Sequence, residues 1–172
     1  MDVTYRLCQL WHNMTARPLS LPDLREIAND LSLSEVALFR QMPNSDQQHA
    51  FRVYRLLRAS GQTDGDLLAS ALLHDVGKVR VNLSAWDRSI AVLGETFVPD
   101  RVKHWGQGDD SGWRRAFVVR EHHAAWGAAL AENAGSRPAV VDLILRHQDP
   151  LPVNGSEKDE RLMLLQWADD QN

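Results

Sequence analysis

Residues 67–78 read Leu-Leu-Ala-Ser-Ala-Leu-Leu-His-Asp-Val-Gly-Lys. The unbroken run of apolar and small residues predicts a helix that is buried in the core. Its last turn carries His74 and Asp75 into or beside that core. A buried carboxylate is costly unless it is paired or coordinates a metal, so this helix end is predicted to hold a partner. Gly77 is expected to adopt the left-handed conformation that stops a helix.

The same feature recurs on four other predicted helices. His49 precedes Val53 by four residues and Leu57 by eight, and Asp169 follows Leu165 by four. Such spacings place a residue on the core-facing side of an amphipathic helix. One histidine on an apolar face is usually a satisfied core residue, but five helices that each send His or Asp inward are most simply explained by one shared metal site. The predicted ligands are His49, His74, Asp75, His123, His147 and Asp169.

Helical patterns and helix-stop signals cover nearly the whole chain, which predicts an all-α, single-domain helical bundle over residues 1–172. Within it, residues 1–44 are predicted to form an N-terminal helical extension packed on the core, and residues 45–170 the metal-binding core. The extension begins with a predicted helix at about residues 2–16. A capping box of Ser45 and Gln48 is predicted to open the helix of His49. Either Asp64 or Asp66 begins the helix that ends at His74. Residues 105–112 form a polar, glycine-rich loop that is either a flap beside the site or a surface loop.

Composition limits the classes of function. The chain has 172 residues, 44% of them hydrophobic and 24% charged, with a net charge of −4, which fits one ordinary globular domain. No broad basic surface is implied, so nucleic-acid binding is not expected. One cysteine, Cys8, excludes an internal disulfide and suits the cytoplasm. No signal peptide and no apolar stretch of membrane-spanning length is recognisable, so no membrane association is expected. The oligomeric state is left open.

The ordered motifs resemble the HD superfamily of metal-dependent phosphohydrolases. The order His49, His74-Asp75, His123, His147, Asp169 reproduces an H…HD…H…H…D pattern. The GYP motif of the HD-GYP branch is lacking after His147, which argues against a cyclic-di-GMP phosphodiesterase of that type. Ser45 stands where three-metal members carry Glu, which argues against a third metal. The resemblance covers about residues 45–170, and the matching strings are ALLHDVGK (71–78), HAAWGAAL (123–130), LILRHQDP (143–150) and LQWADD (165–170).

This resemblance implies how the ligands are shared. A first metal would be bound by His49, His74, Asp75 and Asp169, and Asp75 would bridge to a second metal, which His123 and His147 complete. His122 is the alternative to His123. We prefer His123 because the family's glycine follows its ligand by four residues, as Gly127 follows His123. Imidazole and carboxylate ligands suit one or two divalent transition ions, which could be Fe, Mn, Co, Ni or Zn.

The implied activity is hydrolysis of a small phosphate ester, such as a nucleotide, by a metal-activated hydroxide. Asp75 and Lys78 would be catalytic, and Lys78 and Arg52 would bind the substrate. Alternatively, the positive charge of Lys78 could only interact favourably with the helix dipole at the C-terminal end. Two other functions stay open, namely a di-iron oxygenase of the HD type and a non-catalytic metal-binding signalling module. Further candidates for phosphate binding are Arg80, Lys103 and Arg146, and Trp126 and Trp167 either wall the pocket or pack in the core.

Overall fold

A computed structural model describes residues 16–81, 83, 87, 105–108, 112–151 and 157–172. The predicted all-α class is confirmed, because all regular structure in these residues is helical. None of the described helices has the length and apolar character needed to cross a membrane. The described residues do not include Cys8, the candidate Lys103 or residues 2–15 of the predicted helix at 2–16. The helices are α1 (Leu21–Ile27), α2 (Leu33–Phe39), α3 (Asn44–Ala59), α4 (Gly65–Leu73), α5 (Arg115–Asn133), α6 (Pro138–Arg146) and α7 (Glu157–Asp170), and the 3-10 segments are Val76–Arg80 and Gly112–Arg114.

Helix α4 is the centre of the bundle. Every residue from Leu67 to Leu73 is at most 1% exposed, as expected for a helix that is apolar on all its faces. It packs against α3, α6 and α7 and touches α2. Asp64 caps it, because one carboxylate oxygen accepts from the backbone nitrogens of Asp66 (2.9 Å) and Leu67 (3.3 Å). The burial of α4 therefore fixes the position of the His-Asp pair that follows it.

The predicted capping box at the start of the His49 helix is wrong. Helix α3 begins at Asn44 directly after Pro43, which occupies the N-cap without a side-chain cap. Because the helix starts two residues earlier than predicted, Ser45 lies inside it and donates to the carboxylate of Asp46 at 3.1 Å. The Gln48 amide instead donates to the carbonyl of Arg17 at 3.0 Å, which ties the chain before α1 to the start of α3.

Residues 16–44 share the core of the remaining chain. Ile27 and Phe39 are fully buried in the same apolar cluster as α4. The Tyr54 hydroxyl on α3 donates to Asp30 at 2.7 Å. These contacts place the described part of the N-terminal region against α3, whereas its division from the core at residue 44 stays a prediction.

Glu35 joins α2 to the turn between α5 and α6. Its carboxylate accepts from the backbone nitrogen of Ser32 (2.8 Å) and from the hydroxyl of Ser136 (2.7 Å). Ser32 accepts in return from the nitrogen of Glu35, which completes a capping box. Burial raises the pKa of Glu35, but the hydrogen bonds from Ser136 and Ser32 outweigh burial and lower it. The ionised carboxylate therefore stabilises the fold.

Replacing Glu35 by Gln is expected to lower the free energy of unfolding by about 1–3 kcal/mol at neutral pH, because charge-assisted hydrogen bonds are lost. A lowered folded-state pKa means that this stabilisation is full above the ordinary value of 4.5 and is lost as pH falls through the folded value. Urea unfolding at several pH values measures the difference. Glu132→Gln, an exposed site on α5, is the control, and equal effects of the two variants would contradict the assignment.

Candidate metal centre

The six predicted ligands come from five helices and meet at one place. His49 lies on the second turn of α3, and His74 is the C-terminal cap of α4 with Asp75 next to it. His123 lies in the middle of α5, His147 caps the C-terminus of α6, and Asp169 lies in the last turn of α7. Because α4 is buried among these helices, its C-terminal end is where their inward-facing side chains converge.

The first cluster consists of His49, His74 and Asp169. The Nε2 atom of His49 lies 2.8 Å from Oδ1 of Asp169, and the Nε2 atom of His74 lies 3.6 Å from the same oxygen. One ligand atom from each residue lies within 4.8 Å of the others. This cluster is partly open to solvent, since the side chains of His49 and Asp169 are 22% and 35% exposed, respectively.

The second cluster consists of Asp75, His123 and His147, all of them buried. The Nε2 atom of His123 lies 3.3 Å from Oδ1 of Asp75 and 3.2 Å from Nε2 of His147. This cluster is therefore the closed half of the site.

Asp75 faces both clusters. Its Oδ1 atom points to His123, whereas its Oδ2 atom lies 3.6 Å from Nε2 of His74 and 3.9 Å from Nε2 of His49. The two oxygens of one carboxylate thus face two different groups of imidazoles. This is the arrangement that a carboxylate bridging two cations would have.

Backbone carbonyls fix the tautomer of the three buried histidines. The Nδ1 atom of His74 lies 2.9 Å from the carbonyl oxygen of Ala71, that of His123 lies 2.9 Å from Arg120, and that of His147 lies 2.7 Å from Ile144. A carbonyl only accepts, so each Nδ1 carries a proton and donates it. In the neutral ring, Nε2 then offers its lone pair to the site. Histidine ligands of metals are commonly held in this way.

The electrostatics of the site favour a cation. Burial lowers the pKa of His74, but the carboxylates of Asp75 and Asp169 outweigh burial and raise it to about 9. Burial and the neighbouring His74 lower the pKa of His147 to about 4, so its ring is neutral at pH 7. Burial raises the pKa of Asp169, but its hydrogen bond with His49 and the nearby ring of His74 outweigh burial and lower it. Ionised carboxylates and a neutral imidazole thus meet in one place.

The residues fit a divalent cation. Within the described residues, Nε2 of His74 is a buried nitrogen without a hydrogen-bond partner. The Nε2 atoms of His123 and His147 face each other at 3.2 Å, and two lone pairs at that distance repel unless a cation lies between or beside them. Ligands about 2.1 Å from one ion stand roughly 3–4 Å apart, as most of these atom pairs do. Six nitrogen and oxygen donors without a thiolate suit borderline transition ions.

Comparison with known proteins agrees with this geometry. A family model described as HD domain matches residues 47–170. The chain belongs to the HD domain family. Comparisons with curated proteins and with solved structures find no significant match. HD domains bind divalent metals, and the paired His/Asp clusters are compatible with such a site, whereas the identity of the metal stays open.

The other predicted site residues of this HD domain lie at different distances from the ligands. The Nζ atom of Lys78 lies 2.5 Å from Oδ2 of Asp75, so Lys78 belongs to the centre. Arg52 is exposed on α3, one turn after His49, and it has a partner of its own. Arg146, next to His147, pairs with Asp142 at 3.4 Å. The roles of Lys78 and Arg52 in binding substrate stay predictions.

Two glycines bring the segment after Asp75 against α5. A Cβ atom on Gly77 would overlap the carbonyl oxygen of His123 and lie 2.6 Å from the nitrogen of Gly127. The expectation that Gly77 takes a left-handed conformation is wrong, because the described glycines with positive φ are Gly61, Gly112 and Gly135. Gly77 is needed for close approach of two backbones instead, and sequence patterns within one helix give no signal for that.

The polar loop at 105–112 is only partly within the described residues. Trp105 packs against Trp113 and Phe117, with ring centroids 5.1 and 5.2 Å away. A Cβ atom on Gly106 would lie 3.1 Å from the carbonyl oxygen of Phe117. The beginning of this loop is therefore packed on the first turns of α5. Residues 109–111 are not among the described residues.

His123 and His122 provide a sharp test of the second cluster. His123 is 1% exposed and faces Asp75 and His147, whereas His122 stacks on Trp126 with ring centroids 5.7 Å apart. We expect His123→Ala to lose the metal of the second cluster and His122→Ala to keep it. Metal analysis of the two purified variants measures this. Equal metal content, or the reverse order, would contradict the assignment.

Proposed function

We propose that this protein is a metal-dependent phosphohydrolase that cleaves a phosphate ester of a nucleotide or a related small molecule. The observation that carries the proposal is the carboxylate of Asp75, which addresses two clusters of ligands at once. A pair of adjacent cations is a common device for attack of water on a phosphate. When bound, the cations would supply an acidified water as nucleophile and would offset the charge that develops on the phosphoryl oxygens.

Lys78 supports this chemistry from the side of Asp75. Burial lowers the pKa of Lys78, but the carboxylate of Asp75, with a smaller contribution from Asp46, outweighs burial and raises it, so the ammonium stays protonated. The ion pair restrains the Asp75 carboxylate. An ammonium has three donors, and the Lys78 side chain is 34% exposed. A donor that Asp75 does not use is therefore available to a phosphate oxygen.

The accessibility of the centre favours a small substrate. The side chains of His49, Asp169 and Lys78 are 22–35% exposed, whereas those of His74 and His123 are at most 2% exposed. A phosphate group can therefore reach the first cluster and Lys78 from solvent, while the second cluster is closed off by α5 and α6. The net charge of −4 adds no general attraction for polyanions.

The test is metal analysis of protein purified without added metal or chelator, followed by a phosphatase and phosphodiesterase screen with Mn, Fe, Co, Ni and Zn. Nucleotides and simple aryl phosphates are the first substrates. We expect two equivalents of transition metal and phosphate release that a chelator abolishes. Asp169→Asn, purified identically, is the control for contaminating phosphatases and is expected to be inactive.

The outcomes separate the competing functions. Phosphate release that depends on metal and on Asp169 supports the hydrolase. Bound iron without phosphate release would contradict it and favour an oxygenase. Bound metal with neither activity would favour a binding module. Folded protein without metal would show that the inward histidines and aspartates are structural.

A further inference from the structure

A second cationic residue follows Lys78 by two positions, on the 3-10 segment Val76–Arg80. Arg80 is the last residue of that segment and is exposed. The central carbon of its guanidinium lies 4.9 Å from the ring centroid of Trp126. Trp126 in turn stacks on His122, with ring centroids 5.7 Å apart and planes inclined by 28°. We call Arg80, Trp126 and His122 the aromatic-arginine cluster.

Chain connectivity ties this cluster to the metal centre. Arg80 follows Lys78 by two residues, and His122 immediately precedes His123. Trp126 immediately precedes Gly127, where the backbone of α5 touches that of Gly77. Consecutive Cα atoms are about 3.8 Å apart, so the backbone of Arg80 lies within roughly two such steps of Lys78. The cluster therefore flanks the two chain segments that carry Asp75 and His123.

Arg80 differs from Lys78 in its electrostatic partners. Lys78 is already paired with Asp75 at 2.5 Å. Within the described residues, Arg80 forms no ion pair with a carboxylate, and its guanidinium lies over the ring of Trp126. Stacking on an indole orients a guanidinium while its N–H groups stay available. An exposed guanidinium that is oriented by stacking, and that forms no ion pair with a described carboxylate, is suited to bidentate binding of an anionic group.

We propose that the aromatic-arginine cluster is an anion subsite that binds a second phosphate of the substrate, while the metal centre binds the first. This inference rests on the proposed function and narrows its substrate class to compounds with two phosphate groups, such as nucleoside diphosphates or bisphosphates. The metals and Lys78 serve the reacting phosphate, and Arg80 binds the distal one.

The chain offers a matched control. Arg114 lies over Trp113 at 5.2 Å, so it too is an exposed arginine held by a tryptophan. It precedes His123 by nine residues at the start of α5, which is roughly 13 Å along the helix axis. Arg80→Gln and Arg114→Gln remove the same charge from the same kind of stacked pair, one two residues after Lys78 and the other at the start of α5.

The experiment is calorimetric titration of metal-loaded protein with methylenediphosphonate, which carries two anionic groups and resists hydrolysis, and with methylphosphonate, which carries one. We expect Arg80→Gln to lower the affinity for methylenediphosphonate by about tenfold or more, which is the effect of losing a charge-assisted hydrogen bond. The affinity for methylphosphonate should fall by less than about threefold. Arg114→Gln is expected to change neither affinity, and both variants should keep wild-type metal content.

Three results would overturn the subsite. If Arg80→Gln lowered the affinities for both phosphonates equally, Arg80 would act only through its overall positive charge. If the affinities stayed unchanged and the unfolding midpoint fell, Arg80 would only pack against Trp126. If Arg80→Gln and Arg114→Gln lowered the affinity for the diphosphonate equally, the position of Arg80 would not matter for binding. Failure of the proposed function is distinguishable, because absence of phosphate release together with binding of the diphosphonate that depends on Arg80 would leave the subsite standing.

Discussion

Replacing Asp75 by Asn is expected to remove most of the bound metal and to lower phosphate release by roughly 10³-fold or more. Asn keeps the size of the side chain but not its charge. One Asp75 oxygen faces His123 and the other faces His74 and His49, so the loss of charge weakens both clusters together. The substitution also leaves the ammonium of Lys78 without its nearest carboxylate.

Metal content and phosphatase activity of Asp75→Asn measure this prediction, with Asp170→Asn as the control. Asp170 is exposed and lies next to Asp169, so its substitution changes the net charge equally without touching the ligand set. The thermal midpoint of the wild type should rise with added metal, since a ligand that binds only the folded state stabilises it. In Asp75→Asn this rise should disappear. Metal content near that of the wild type would refute the assignment of Asp75 as a bridge.

That the candidate ligands converge inside the bundle was predictable from helix periodicity, whereas their role as ligands stays a prediction. His49 and Asp169 share a face with apolar residues three or four positions away, and α4 is apolar throughout. Once helices bury those faces, the polar exceptions must meet inside the bundle. Their division into two clusters joined by Asp75 came from the family resemblance, because spacing along a chain does not say which side chains from different helices become neighbours.

Features that depend on tertiary approach were not predictable in the same way. Ser45 fits a capping pattern with Gln48, but the N-cap is Pro43, two residues earlier, and the Gln48 amide donates to the distant carbonyl of Arg17. The stacking of Arg80 on Trp126 joins residues 46 positions apart. Local patterns carry no information on such contacts.

Gly77 shows how a correct signal can have a different physical cause. A glycine after the His-Asp pair predicts a helix stop, and α4 does end at Leu73, just before that pair. Its φ is not positive, however, so conformational freedom is not what the position needs. What it needs is space, because the 3-10 segment Val76–Arg80 lies against the backbone of α5 beside His123. The side chains of Asp75 and Lys78 depend on that approach for their position relative to α5.

Gly77→Ala is therefore expected to destabilise the protein by about 3 kcal/mol or more and to lower its metal content. The added Cβ would overlap the carbonyl oxygen of His123, a backbone atom that cannot rotate away. The 3-10 segment must then move off α5, which pulls Asp75 away from His123. Urea unfolding and metal analysis measure the two effects.

Two other glycines serve as control positions, at which an added Cβ has more space. A Cβ on Gly127 would meet Gly77 and Ile144 at 3.1–3.2 Å, a tight contact that small shifts can relieve. A Cβ on Gly135 would meet nothing within 4 Å, but its φ of +81° leaves a conformational cost of roughly 1 kcal/mol. We therefore expect Gly77→Ala to be the most harmful, Gly127→Ala intermediate, and Gly135→Ala to retain full metal. If Gly77→Ala were no worse than Gly135→Ala, the close approach of the two backbones would not be what positions Asp75.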